Sequence, residues 1–165
     1  DGTTTVTTGT YTLAQIQGMK FLAATNANGT GNFSYSVTDS GSGTNSITET
    51  IAITVNAVND APVRTAGTVA PLTINEDTAI TSLGLSGVAY GPGGGTDEAS
   101  QTLTYTVTAI PNASLGVIKL ADGTTTVTSG TSYTLTQIQG MKFLAATNAN
   151  GTGNFSYSEI GRAHV

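Results

Sequence analysis

The chain lacks cysteine and tryptophan, and it contains one histidine, His164. Without cysteine there is no disulfide, no thiol nucleophile and no thiolate ligand for zinc. A single histidine, placed in a segment that departs from the rest of the sequence, leaves no Ser–His–Asp triad. The absence of tryptophan also removes the usual aromatic platform for sugars. These absences leave little material for catalysis, and we predict that the chain is not an enzyme.

Charge is scarce as well. Asp, Glu, Lys and Arg make up 9% of the residues, and only five of these are Lys or Arg, which gives a net charge of −5. So few basic residues, none of them clustered, cannot follow a phosphate backbone, so nucleic acid is not expected as a partner. No apolar run approaches the roughly 20 residues that a membrane helix needs, and we predict no membrane span.

Threonine, valine, isoleucine and tyrosine are abundant instead, which favours exposed β-sheet. Apolar and polar residues alternate in short runs at 33–37, 47–55 and 103–107, the pattern of half-buried strands. The Gly/Ser turn at 39–43 predicts a hairpin between the first two. Further strand-like stretches occur at 3–11, 80–85 and 115–120, a helical turn at 13–18, an extended stretch from Met19, and a glycine-rich loop at 90–100. Strands at roughly ten-residue spacing with polar turns predict an all-β protein of antiparallel sandwiches.

One part of the sequence occurs twice. Residues 1–6 recur at 122–127, and residues 11–36 recur at 133–158 with a single change, Ala14 against Thr136. A repeat of about 120 residues fits one whole β-sandwich per repeat and indicates a recent duplication in a tandem array. Residues 159–165 do not follow the repeat, which places Val37 after Ser36 but Glu159 after Ser158. Their back-translation resembles a sequencing-library adapter, so we expect this heptapeptide not to be native.

The joint between modules is predicted at V-N-A-V-N-D-A-P-V, residues 55–63, because Asn-Asp favours a turn and Pro62 cannot continue a central strand. Residues 1–58 are then the C-terminal half of one module, and residues 59–158 the next module without its last hairpin. An unpaired strand edge follows. Alternatively, the strand at 51–55 folds back onto residues 155–158 and completes the second module.

The alternation also predicts which side chains are buried. In the first half these are Phe33, Tyr35, Val37, Ile51, Ile53 and Val55, and in the second half Leu103, Tyr105, Val107, Phe155 and Tyr157. The acidic pairs Glu76-Asp77 and Asp97-Glu98 could serve a glycosidase, but no aromatic platform accompanies them. The run G-P-G-G-G at 91–95 lacks the lysine of a phosphate loop and is interpreted as a flexible loop.

The stretches V-N-A-V-N-D-A-P-V, I-N-E-D-T, D-E-A-S-Q-T-L-T-Y-T-V and N-F-S-Y-S-V-T-D-S-G-S-G-T together resemble the cadherin-like repeats of large bacterial surface and secreted proteins. T-L-T-Q-I-Q-G-M-K-F is also similar to the chondroitin-sulfate-proteoglycan-type repeat. The resemblance covers residues 1–158. It implies an immunoglobulin-like sandwich, an extracellular or cell-surface location, and neighbouring repeats of the same chain as partners.

The same resemblance implies calcium between modules. Asn59 and Asp60 take the linker position, Asp97 and Glu98 the paired-acid position, Glu76 faces the next joint and Asp39 the previous one. The acidic residues could equally be solvated surface charges. Three functions stay open: a structural stalk that spaces or presents an adhesive region, a module that binds polysaccharide or a cell-surface ligand, and an accessory domain of a secreted enzyme.

Overall fold

Two separate units make up the chain, Asp1–Val58 (unit 1) and Asn59–Val165 (unit 2). A computed structural model describes residues 3–43 and 45–161, and these are all-β apart from two one-turn helices and a short 3-10 helix. Within these residues no helix is long and apolar enough to cross a membrane.

Unit 1 consists of helix α1, Leu13–Gln17, and an antiparallel hairpin of β1, Gly29–Thr38, and β2, Ser46–Val55. A capping box closes the N-terminus of α1. The Thr12 side chain accepts a hydrogen bond from the Gln15 backbone amide, and the Gln15 side chain accepts one from the Thr12 backbone amide, so two otherwise unpaired donors are satisfied. In the hairpin, Phe33 lies opposite Ile51 and Tyr35 opposite Glu49. The predicted helical turn and hairpin are therefore confirmed.

The predicted core of unit 1 is wrong. Val37 and Ile51 are each 54% exposed, whereas Phe33, Tyr35, Ile53 and Val55 are half-buried. None of the described residues of unit 1 is fully buried, because a two-stranded sheet without a covering layer leaves both faces open to water. The strand predicted at 3–11 and the pairing of residues 51–55 with 155–158 are also wrong. Residues 3–11 form no strand, and Ile51 pairs with Phe33.

The described residues of unit 2, 59–161, form eight strands and helix α2, Leu135–Gln139, which has the same capping box as α1, built by Thr134 and Gln137. The strands are β3 (Val63–Ala66), β4 (Thr81–Ser82), β5 (Ala89–Gly91), β6 (Leu103–Ala109), β7 (Gly116–Lys119), β8 (Ser132–Tyr133), β9 (Lys142–Ala145) and β10 (Ser156–Gly161). They form three antiparallel sheets with the orders β10-β6-β8, β4-β9-β7 and β3-β5.

The core lies in unit 2. Its buried apolar side chains come from strands β6, β7 and β9, from α2 and from the segments between these elements: Leu85, Val88, Tyr105, Val107, Ile118, Val127, Ile138, Met141 and Phe143. The predicted burial of Tyr105 and Val107 is confirmed, whereas Leu103, Phe155 and Tyr157 pack against this core half-buried. Residues 90–100 are not simply loop, because β5 ends at Gly91 and a 3-10 helix spans Thr96–Glu98.

Candidate metal centre

The candidate site lies where residues 59–62, which lead into β3, meet the loop between β5 and β6. The backbone amide of Asp60 donates to Glu98 Oε1. The Asn59 side chain donates to the Asp60 carbonyl at 3.0 Å and accepts from Gln101 Nε2 at 2.9 Å. Residues 59, 60, 98 and 101 thus form one hydrogen-bonded cluster, drawn from segments nearly forty positions apart.

Two glycines allow these segments to approach. Gly93 and Gly94 both have positive φ, +84° and +49°. A Cβ on Gly93 would collide with the Ala61 carbonyl oxygen, and a Cβ on Gly94 would lie 2.6 Å from both Asp60 Oδ2 and Glu98 Oε2. The two carboxylates therefore converge over Gly94. The interpretation of residues 91–95 as simply a flexible loop missed this role, because glycine is required here for close backbone approach.

Glu98 is the unusual residue of the cluster. It is 2% exposed and is the one charged residue among the buried side chains of the described chain. Its Oε2 has no hydrogen-bond partner among the described residues, and neither has the buried Oε1 of Gln101. Burying a carboxylate without a counter-charge costs free energy, and an unfilled acceptor adds to that cost. Glu98 Oε2, an acceptor with unfilled capacity that converges with the half-buried Asp60 carboxylate over Gly94, is suited to a hard cation, whereas Gln101 Oε1 lies next to Gly161.

The other predicted ligands are distributed differently. Asp97 is half-buried next to Glu98 in the 3-10 helix. Glu76 is exposed in the turn before β4 and lies outside the cluster. Asp39 belongs to unit 1, where its Oδ1 accepts from the Gly41 amide at 3.0 Å in a local turn. Within unit 2 the structure therefore brings Asn59, Asp60 and Glu98 together and leaves Glu76 outside this cluster.

Sequence reasoning missed Gln101, which follows the acidic pair by three residues. Its amide donates to the Glu98 carbonyl at 2.9 Å and its side chain reaches Asn59. The sequence carried no signal of this role, because it depends on how closely residues 59–62 approach the loop before β6. Within residues 3–43 and 45–161, no group of three or more His, Cys, Asp or Glu side chains is placed to hold a metal. A cation here would thus depend on amide and carbonyl oxygens as well as carboxylates.

A second cluster of polar groups lies between β5, β6 and β10. Tyr90 contacts Tyr105 at 5.7 Å and Tyr157 edge-on at 6.2 Å between ring centroids, and the Tyr90 and Tyr157 hydroxyls are 2.5 Å apart. Burial raises the pKa of Tyr157, and the hydrogen bond with Tyr90 raises it further. Burial also raises the pKa of Glu159 to about 7, opposed by a hydrogen bond with Tyr105. This cluster is a packed aromatic junction with a half-buried carboxylate beside it.

Comparison of the chain with protein-family models, with curated proteins and with solved structures found no match.

Proposed function

We propose that the chain is part of a non-catalytic repeat of a large extracellular bacterial protein, in which tandem immunoglobulin-like, cadherin-like sandwiches space or present an adhesive region. Support comes from the duplicated segment: residues 11–36 and 133–158 differ at one position and build the same capped helix in both units. Long arrays of near-identical β modules suit a stalk, because each module adds length without a new binding function. Neighbouring repeats are then the principal partners.

Calcium at the start of each module completes this proposal. The observation that carries it is the buried Glu98 carboxylate with an unfilled Oε2, facing Asp60 over Gly94. Asp60 and Glu98 would supply side-chain oxygens, Asn59 would hold the Gln101 amide, and Asp97 would add negative charge. A bound calcium ion supplies the positive charge that offsets burial of these carboxylates. Without any ion, the hydrogen bonds from the Asp60 amide to Glu98 and from Gln101 to Asn59 already hold residues 59–62 against the loop before β6.

The calcium proposal is tested with the full chain and two charge-neutralising variants. We expect millimolar calcium, compared with chelator, to raise the thermal midpoint of unit 2 by mass action. Glu98→Gln, which keeps the shape and removes the charge, should lose most of that increase. Glu76→Gln is the matched control, because Glu76 is exposed outside the cluster. Equal midpoints of the unsubstituted chain in calcium and chelator would contradict a calcium site.

The stalk itself is tested on the parent gene. Many further copies of the repeat together with an export signal would support it. One or two copies beside a hydrolase domain would instead favour an accessory role.

A second candidate, a polysaccharide-binding module, is favoured by a cleft of about 750 Å³ in unit 2. Residues 69–76 form one wall and residues 149–155 the other, with Phe143 and Phe155 among the apolar lining and Asn75, Asn150 and Asn154 among the polar lining. An apolar lining with a small number of polar groups is typical of clefts that bind small ligands. A glycan-array screen tests it: saturable binding that Asn154→Ala weakens would support this candidate, and absence of binding would leave the stalk.

A further inference from the structure

The duplicated segment has the same sequence in two different environments. In unit 2, Phe143 is 9% exposed and Ile138 and Met141 are fully buried, whereas in unit 1 the counterpart Phe21 is 62% exposed. Leu22 is 90% exposed and its counterpart Leu144 is 36% exposed. Of the apolar side chains that unit 2 packs into its core, unit 1 therefore exposes the counterpart of Phe143, and it leaves Ile16 and Met19, the counterparts of Ile138 and Met141, half-buried. Exposed apolar surface of this extent is typical of a contact surface.

Unit 1 already has part of the local structure that unit 2 uses for these residues, although residues 20–23 are not a strand as residues 142–145 are. Both copies begin with a tyrosine whose hydroxyl accepts a hydrogen bond from a backbone amide. In unit 1 the Thr7 amide donates to Tyr11 at 3.1 Å, and in unit 2 the Thr128 amide donates to Tyr133 at 3.0 Å. The two capping boxes have the same members. The loops that follow place Asn26 at φ 56° and Asn148 at φ 54°. Docking of unit 1 in the manner of residues 133–158 would thus keep the capped helix and the loop conformation, and residues 20–23 would have to adopt the strand conformation of β9.

Unit 1 also differs from residues 133–161 in two ways that favour docking of unit 1 in their place. Opposite Tyr105, unit 2 places the half-buried Glu159, whose Oε1 is buried without a hydrogen-bond partner among the described residues. The counterpart in unit 1 is the apolar Val37. Unit 1 also carries β2 already paired with β1, whereas β10, the strand that corresponds to β1, lies at the edge of its sheet. Replacing β10 by β1 and β2 would cover that edge.

We propose that unit 1 of one copy docks onto residues 59–121 of a second copy, in the place that residues 133–161 occupy. The register follows from the pairs in unit 2: Leu22 takes the place of Leu144 opposite Val117, and Val37 takes the place of Glu159 opposite Tyr105. The partner is a second copy of this chain, and the association is an exchange of equivalent segments. This inference does not depend on calcium or on the stalk function.

The exchange competes with the chain's own segment. Residues 133–161 are tethered to residues 59–121, which gives them an effective concentration on the order of millimolar. The exchanged form should therefore grow with protein concentration, and most after refolding from denaturant at high concentration, when neither segment is yet in place. At low concentration the monomer described above is expected.

The experiment uses the absence of cysteine from the chain. Leu22→Cys and Val117→Cys are made as single variants, one of them carrying a size tag, and the two are mixed, refolded together and oxidised. A disulfide heterodimer between them can form only between two copies. The control mixes Leu22→Cys with Val63→Cys, whose side chain is 51% exposed on β3, in a different sheet. A Val117→Cys/Leu144→Cys double variant checks that the native pair of positions can be bridged within one copy.

We expect the Leu22–Val117 heterodimer to exceed the Leu22–Val63 heterodimer severalfold on non-reducing gels. Equal yields in the two mixtures would overturn the proposal. A second measurement needs no cysteine: light scattering of the refolded chain should show a dimer fraction that rises with concentration. Glu159→Val should reduce that fraction, since it gives the chain's own segment the residue that unit 1 supplies. A chain that stays monomeric at all concentrations after refolding would also overturn it.

Discussion

Among single residues, Gly93 and Gly130 separate two reasons for which a chain uses glycine. Both have positive φ, +84° and +79°, which disfavours any residue with a Cβ. Around Gly130 no atom of the described residues lies within 4 Å of the position a Cβ would take, apart from the adjacent residues, whereas at Gly93 the Ala61 carbonyl oxygen occupies that position. Gly93 is therefore fixed by backbone conformation and by contact, and Gly130 by conformation alone.

We predict that Gly93→Ala destabilises unit 2 by roughly 1 to 3 kcal/mol more than Gly130→Ala, because residues 59–62 must move away from the loop. The measurement is the urea unfolding midpoint of each variant. Equal losses would show that residues 60–61 do not pack against Gly93 in solution.

Glu159 controls the pH dependence expected of unit 2. Its pKa is raised from 4.5 to about 7, first by burial, so the folded state favours the neutral carboxyl. The stability that this group contributes is fully present below pH 4.5 and is lost as the pH rises through about 7. Tyr105 and Tyr157 beside it have raised pKa values and stay neutral over this range. The pKa of Asp122 is shifted in the opposite direction, because hydrogen bonds from Thr125 and Thr124 lower it to about 2. The stability that Asp122 contributes is therefore lost only as the pH falls from about 4 towards 2.

We therefore expect the urea midpoint of unit 2 to fall between pH 5 and pH 8, and the Glu159→Val chain to show a smaller fall and a higher midpoint at pH 8. Glu49→Gln, at an exposed position of the hairpin in unit 1, is the control and should leave the slope unchanged. A Glu159→Val chain with the same pH slope as the unsubstituted chain would assign the slope to other groups.

At the scale of elements, strand β6 has the clearest division between two faces. Tyr105 is 5% exposed and Val107 fully buried, while Thr104 and Thr106 are half-buried and the Thr106 hydroxyl lies 3.0 Å from that of Ser132. The tyrosine packs against Tyr90 and the core. Adjacent positions of one strand should therefore differ strongly in their sensitivity to truncation.

Tyr105→Ala is expected to cost about 3 to 5 kcal/mol, as for other large buried aromatic side chains, whereas Thr104→Ala should cost about 1 kcal/mol or less. Both are read from denaturant unfolding. Similar losses at the two positions would mean that β6 presents the other face to the core.

The two capped helices show what local sequence can determine. Thr12 with Gln15, and Thr134 with Gln137, close the same box although only α2 buries a residue, Ile138. Such elements are predictable because their donors and acceptors lie within one turn. By contrast, residues 142–145 form strand β9 between β4 and β7, whereas residues 20–23, their exact sequence counterparts, form no strand. Whether this segment becomes a strand therefore depends on the partner strands β4 and β7, and the sequence of the segment itself does not show whether such partners are present.

For the whole molecule, the sequence predicted the all-β class, the hairpin and the buried face of β6. It did not predict the open faces of unit 1, because alternation marks a side as apolar without showing that another layer covers it. In the candidate site, the acidic residues came from the resemblance to cadherin-like repeats, and their metal-binding role stays a prediction. Gln101 and the contact at Gly93 could not be predicted, since both depend on how closely residues 59–62 approach the loop before β6.

The order of strands in the sheets of unit 2 has a consequence for how fast and in what sequence this unit folds. β4 pairs with β9, and β6 pairs with β10. Two of the three sheets therefore join strands that are separated by about fifty or sixty positions in the chain. Loops of this size must close before their contacts are gained, which slows folding. During synthesis from the N-terminus, residues 59–121 would emerge with their apolar faces uncovered until β9 and β10 arrive. We therefore expect unit 2 to fold slowly and to be prone to aggregation until β9 and β10 have paired.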